Sequence, residues 1–197
     1  MPPLDIDWKQ YAFGKGKYRR KTVGFGSYHK SDRLYDDEFY IREASILYAG
    51  LGCGLWDAAI LFSRWIYHNS HIFQNKYVLE LGAGVGLCGI VASRFAKKVI
   101  LTDYIDSVID NLQYNIDLND STLVNDSGDV PPNRKGNLNA SQVCSAEILD
   151  WTHSQDFLST IQPAENLIGS ELTYSNLNVT DLIHTVSSFS TPSSVFL

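Results

Sequence analysis

Cysteine is scarce in this 197-residue chain. Cys53, Cys88 and Cys144 are widely spaced, odd in number and never in a C-x-x-C arrangement. That excludes a disulfide framework and a thiolate metal centre, and leaves reduced, buried, small apolar residues of an intracellular protein. His29, His68, His71, His153 and His184 add no metal-ligand spacing, so no metal is expected. A basic surplus is also missing. Lys and Arg number 16 against 22 Asp and Glu, for a net charge of -6. Nucleic-acid binding needs a basic face, so that partner class is disfavoured. The acidic balance suits a basic protein substrate or a cationic cofactor. Long hydrophobic runs are absent as well. The longest apolar region, 46–62, is interrupted by Gly50, Gly52, Gly54 and Asp57 and is no membrane span. The opening M-P-P-L-D-I-D-W has no signal-peptide core. The expectation is a monomer of the cytosol or nucleus.

What is present is a 44% hydrophobic composition, enough for one domain with a substantial core. Residues 1–45 read as an N-terminal extension of β and irregular structure. In it Lys15, Lys17, Arg19, Arg20 and Lys21 surround Tyr18, as a solvated basic loop, an import signal or a contact for an anionic partner. Val23 to Phe25 and Phe39 to Ile41 can pair as a hairpin. Residues 46–197 read as a doubly wound α/β domain. Leu55, Ala58, Ala59, Phe62, Trp65 and Ile66 place a helix over 54–66. Residues 77–81 read as a buried strand and 87–96 as a helix. A second strand covers 98–103, and Ile105, Val108, Ile109, Leu112 and Ile116 mark the helix after it. Residues 117–140 read as a polar surface loop with a Pro131-Pro132 pair. Strands over 143–149 and 165–169 and a helix at 179–186 follow. This alternation indicates a parallel sheet covered on both faces.

The chain is organised around Y-V-L-E-L-G-A-G-V-G at residues 77–86. A strand that runs into a glycine turn and a helix start can bring backbone N–H groups to a nucleotide-like ligand. Asp103 ends the next strand, 21 residues after Gly82 (103 minus 82), where an acid takes a ribose hydroxyl pair. Glu80 and Asp103 therefore flank the turn. The spacing is not that of a dinucleotide site, because Leu87 stands where a small third residue is required. No P-loop lysine follows, so ATP is disfavoured too. A ribose-bearing ligand without phosphate and with cationic groups suits two carboxylates, and S-adenosylmethionine is such a ligand. Trp56 can be a packing residue or a wall of that pocket.

The motifs E-L-G-A-G-V-G-L, L-T-D, L-D-W and G-S-E-L-T-Y resemble the seven-β-strand protein-lysine methyltransferases. More narrowly they resemble the eukaryotic methyltransferase family 16, whose members act on chaperones, elongation factors and calmodulin. The upstream G-L-W-D-A-A fits as well. The resemblance covers residues 52–197. It implies a Rossmann-like methyltransferase sheet, S-adenosyl-L-methionine as cofactor and a protein substrate such as a chaperone or translation factor. By resemblance Trp56 borders the cofactor, while Gly82, Ala83 and Gly84 approach its methionine part. Asp103 holds the ribose, Tyr104 and Trp151 border the adenine, and Ser170 contacts the cofactor. The family's acid-x-x-aromatic signature falls at Glu171 to Tyr174. Glu171 would capture and aim the substrate ammonium, and Tyr174 would cradle it. These two are the expected catalytic residues.

The family sheet has seven strands, and this sequence supplies about five, the last beginning near Ser194. The expectation is a sheet without its final strands. Two alternatives stay open at this point: a small-molecule methyltransferase, in the same chemistry, and, from a different class, a truncated non-catalytic cofactor-binding or regulatory form.

Overall fold

The computed structural model describes residues 18–29, 34–44, 51–120, 140–173 and 179–197. Apolar alternation in the N-terminal region makes a two-stranded antiparallel hairpin, β1 (Tyr18–His29) and β2 (Leu34–Ala44). Its register sets Val23 opposite Phe39, and the hairpin expected at those positions is present. Arg19, Arg20 and Lys21 lie within β1, not in a loop, because the ladder runs out to Tyr18 opposite Ala44. Lys15 and Lys17 fall outside the described residues.

The second sheet has five strands: β3 (Tyr77–Glu80), β4 (Lys98–Asp103), β5 (Cys144–Ile148), β6 (Ala164–Ile168) and β7 (Ser190–Phe196). Their order is β5-β4-β3-β6-β7, and every pairing is parallel. The winding goes outward from β3 through β4 to β5, then restarts beside β3 with β6. The gap between β3 and β6 is thus the topological switch point, where open α/β sheets bind ligands beyond the strand C-termini. The fifth strand begins at Ser190, earlier than the apolar run announces. A register shift between Ala164 and Asn166 accommodates its start, which contains Pro192.

Among the described residues four α-helices precede a fifth near the end: α1 (Asp57–His68), α2 (Leu87–Ala92), α3 (Asp106–Leu118), the single turn α4 (Ala140–Val143) and α5 (Val179–Ser188). Helix α1 starts three residues later than its apolar stripe suggests. Residues 51–53 form a 3₁₀ turn instead, and Trp56 takes the extended N-cap position. Helix α2 ends early because Arg94 and Phe95 N–H turn back to Val91 and Ala92 carbonyls, three residues behind. Of the polar loop expected over 117–140, residues 121–139 lie outside the described residues; 117 and 118 close α3.

Strand alternation divides the core between the two faces of the sheet. Val78, Val99 and Leu101 pack with α2, α3 and the hairpin residues Val23, Phe25, Phe39 and Ile41. Leu79, Leu81, Ile100 and Leu167 pack with Leu182 and Phe189 on the other face. The N-terminal hairpin therefore shares the main core. Among the described residues no helix is long and apolar enough to cross a membrane.

Candidate active site

Four strand ends meet at the switch point. After β3 the glycine turn bends sharply, with φ of 58° at Gly82, 55° at Gly84 and 83° at Gly86. The Ala83 N–H donates to the Thr102 carbonyl at 2.8 Å, and the Thr102 hydroxyl donates to the Glu80 carbonyl at 2.6 Å. These bonds tie the turn to the end of β4. Asp103 completes the tie. Its Oδ2 accepts from Gly84 N–H at 3.1 Å and its Oδ1 from Tyr104 N–H at 2.8 Å. Burial pushes the Asp103 carboxyl above the usual carboxylate range, opposed by the N–H groups of Tyr104, Gly84 and Ile105.

Gly82 marks where the third and fourth strand ends arrive. A Cβ at this position would stand 2.9 Å from Leu172 and 3.5 Å from Trp151. The L-D-W after β5 and the G-S-E-L-T after β6 therefore converge on the turn after β3. Asp150 shapes the first of these ends by accepting from Thr152 N–H at 2.9 Å, an Asx turn that starts the 151–157 helical segment. In the second, Glu171 has φ of 55°, one of two non-glycine residues with positive φ among the described residues. A long side chain in that region is held against its preference, a condition found at ligand clamps. Glu171 is exposed and Ser170 is half-buried. Tyr174 lies outside the described residues.

The aromatic residues stand around this centre. Tyr104 is 62% exposed and Trp56 43%, while Trp151 is half-buried. The indole Nε1–H of Trp56 donates to the Leu51 carbonyl at 3.1 Å, which orients the ring. Glu80 sits differently from Asp103. It shares a sheet face with Val78, so its side chain turns under the glycine turn toward α2 and accepts from Gly89 N–H at 2.8 Å. Full burial pushes its carboxyl up to about 8, against the Gly89 N–H bond. Its visible work is to fasten α2 to β3, and its expected place beside a ligand has no counterpart in these contacts.

Sequence reasoning missed Leu172, the unnamed middle of the E-L-T-Y signature, which closes the space beside Gly82. It also missed Gly52, whose position over Asp103 could be suspected only from its place in G-L-G-C-G. A cavity of ≈ 430 Å³ between the 151–157 segment and α5 takes in Trp151 but no part of the glycine turn. Among the described residues no group of His, Cys, Asp and Glu is placed to hold a metal ion.

Residues 35–197 match the model of the lysine methyltransferase family. The chain belongs to that family. It is 30% identical over 139 residues to the Schizosaccharomyces pombe protein-lysine N-methyltransferase rrg1, a match covering 68% of this chain and 41% of that protein. It is 30% identical over 148 residues to the Xenopus tropicalis protein N-lysine methyltransferase METTL21A, covering 75% and 60%. The chain thus spans less than two thirds of these curated relatives. Among solved structures, the Thermus thermophilus 16S rRNA methyltransferase RsmC, in complex with AdoMet and guanosine, aligns with a TM-score of 0.59 at 12% identity. That alignment covers 91% of this chain and 41% of the other. It shows a shared Rossmann-like methyltransferase fold, as expected from the alternating strands and helices.

Proposed function

We propose that this lysine methyltransferase family chain carries an S-adenosylmethionine-dependent domain that methylates a lysine side chain of a protein. The observation that supports this best is the meeting of the Gly82 turn, Asp103, Trp151 and Glu171 at one edge of the sheet, each from a different strand end. The donor set fits the cofactor. Residues 77–87, 102–106, 148–152 and 168–173 contain no Lys or Arg. Carboxylates, backbone N–H groups and aromatic rings suit a ribose, a purine and a cationic sulfonium better than a pyrophosphate.

When bound, S-adenosylmethionine supplies a methyl group on an already activated leaving group. The protein's part is positioning and exclusion of water. Asp103 is the acceptor for the ribose hydroxyls, and the exposed rings of Trp56 and Tyr104 with Trp151 wall the adenine and methionine parts. Gly82, Ala83 and Gly84 offer backbone to the methionine end, with Ser170 beside it. Glu171 receives the substrate ammonium and aims the nitrogen, and Tyr174 of the same signature is the expected second wall. A lysine amine with an ordinary pKa of about 10.4 must lose its proton before attack, so Glu171 acts by capture rather than as a strong base. The net charge of -6 supports a basic protein substrate, and the names of the relatives support lysine as the acceptor. We place the activity in the cytosol or nucleus, in a monomer.

The test is to incubate the chain with methyl-labelled S-adenosylmethionine and a cell extract. The expected result is label in protein bands, reduced about a hundredfold by Glu171→Ala, the loss typical of a misplaced reacting group. Label only in a small-molecule or RNA fraction overturns the lysine reading.

A further inference from the structure

Strand β2 buries two charged side chains in succession, Arg42 and Glu43, each at most 4% exposed. Buried charges are costly and normally carry specific bonds. The hairpin does not need them for packing, because Val23, Phe25, Phe39 and Ile41 already seat it on the core. Arg42 reaches α3, where its Nε donates to Asn111 Oδ1 at 2.8 Å. Glu43 reaches the other way, into residues 51–56. Its Oε2 accepts from Leu55 N–H at 3.0 Å and pairs with Lys21 Nζ at 3.1 Å.

The segment that Glu43 holds stands over the candidate site. Leu55 directly precedes Trp56, and the Trp56 indole closes the segment on itself at the Leu51 carbonyl. The Gly52 carbonyl oxygen lies 3.1 Å from where a Gly84 Cβ would be. A Cβ on Gly52 would stand 3.0 Å from Val108 and 3.7 Å from Asp103 Oδ2. Cys53 feels the charges of both Asp103 and Arg42, and burial pushes its thiol up to about 12. One carboxylate on the hairpin therefore fixes the backbone that roofs Gly84 and Asp103 and carries Trp56.

We propose that Glu43 is a positioning residue for the methyl-donor site, holding residues 51–56 over the glycine turn through the Leu55 N–H. This rests on the function proposed above. Glu43 touches no reacting atom. Its removal leaves a buried N–H without its acceptor, and the segment that relaxes to satisfy it is the one that walls the cofactor.

The test is calorimetric titration of the chain with S-adenosylhomocysteine, beside thermal melts and amide hydrogen exchange of the free protein. Glu43→Ala is expected to weaken binding by about tenfold or more and to speed exchange over 51–56. Glu43→Gln keeps an oxygen for Leu55 N–H and is expected to bind within about threefold of wild type. Asn119→Ala is the control. It loosens the same hairpin at Tyr40, away from the loop, and is expected to lower the melting temperature while keeping affinity within about twofold. Glu43→Ala binding like wild type overturns the proposal and leaves the cofactor reading standing. Equal weakening by Asn119→Ala also overturns it, since hairpin loss would then explain the effect. A wild-type chain that binds no S-adenosylhomocysteine overturns the cofactor reading and this proposal with it.

Discussion

Glu80 shows how one side chain can couple the turn to pH. Its carboxyl is pushed up to about 8 from an ordinary 4.5 by complete burial. A folded-state value above the unfolded one means stability is fully present below about 4.5 and declines as pH rises toward 8, because the unfolded chain ionises there while the buried carboxyl must keep its proton. At roughly 1.4 kcal/mol per pH unit between those limits, the total is on the order of 5 kcal/mol. Glu80→Gln mimics the neutral acid and can still accept from Gly89. Urea denaturation across pH 5 to 8 is expected to show a falling stability for wild type and a flatter profile for the variant. Equal slopes would remove Glu80 as the source. Gly86 gives a sharper steric test. Its φ is 83°, and a Cβ there would run into Leu112 and stand 3.0 Å from Leu101. Gly86→Ala is expected to cost about 2–4 kcal/mol of unfolding free energy, read from the urea midpoint. At this scale the sequence was legible for Asp103, whose spacing and strand-end position matched. It was misleading for Glu80. An acid two residues before the turn reads as a ligand flank, yet strand alternation puts it on the Val78 face, where α2 covers it.

Among the elements, β3 and β4 were readable almost to the residue, because buried parallel strands carry continuous apolar runs between breakers. The docking of the hairpin was not readable. Helix α3 has an apolar stripe at Val108, Leu112 and Ile116, but Asn111, Asn115 and Asn119 lie buried beside it at four-residue spacing. Their amides act as a substitute strand along the edge of β2. Asn119 Oδ1 accepts from Tyr40 N–H at 2.8 Å, and its Nδ2 donates to the Tyr40 carbonyl at 2.7 Å. Asn115 repeats the pattern at Arg42, at 2.8 and 3.1 Å, and also donates to the Val85 carbonyl of the glycine turn at 2.9 Å. Hydrophobic periodicity counts such residues as polar and assigns them outward. The pairing of an amide with both backbone groups of one residue explains the burial of Asn115 and Asn119, while Asn111 accepts from Arg42 Nε and donates to the Arg42 carbonyl. Asn115→Ala removes the partner of the Arg42 N–H and of the Val85 carbonyl, while the Arg42 carbonyl keeps Asn111 Nδ2 at 3.3 Å, and is expected to cost about 2 kcal/mol or more, similar to Asn119→Ala. Asn115→Asp keeps the acceptor but turns an anion toward the Arg42 and Val85 carbonyls. It is expected to do no better than alanine in chemical denaturation.

For the whole molecule, ligand linkage tests whether the strand ends form one binding unit. A ligand that binds only the folded state stabilises it by about 2.7 kcal/mol at a hundred times its dissociation constant. A domain of this size gains about 2–4 °C per kcal/mol, so a saturating methyl donor or its demethylated product should raise the melting temperature by roughly 5–11 °C. NAD(H) at the same concentration should give no shift, since Leu87 fills the position a dinucleotide turn keeps small and no basic residue stands in the turn. On the proposed function the size of the shift depends on the strand ends acting together: backbone at the Gly82 turn after β3, a carboxylate at Asp103 after β4, the Trp151 ring after β5 and Ser170 after β6. Asp103→Asn separates folding from binding. It keeps one acceptor for the Gly84 or Tyr104 N–H but not both, and loses the charge offered to a ribose hydroxyl pair. The variant's unliganded melt should fall modestly, and its ligand-induced shift should shrink to a few degrees or less, about the effect of a tenfold or greater loss of affinity. An undiminished shift in Asp103→Asn would place the ligand elsewhere than the end of β4.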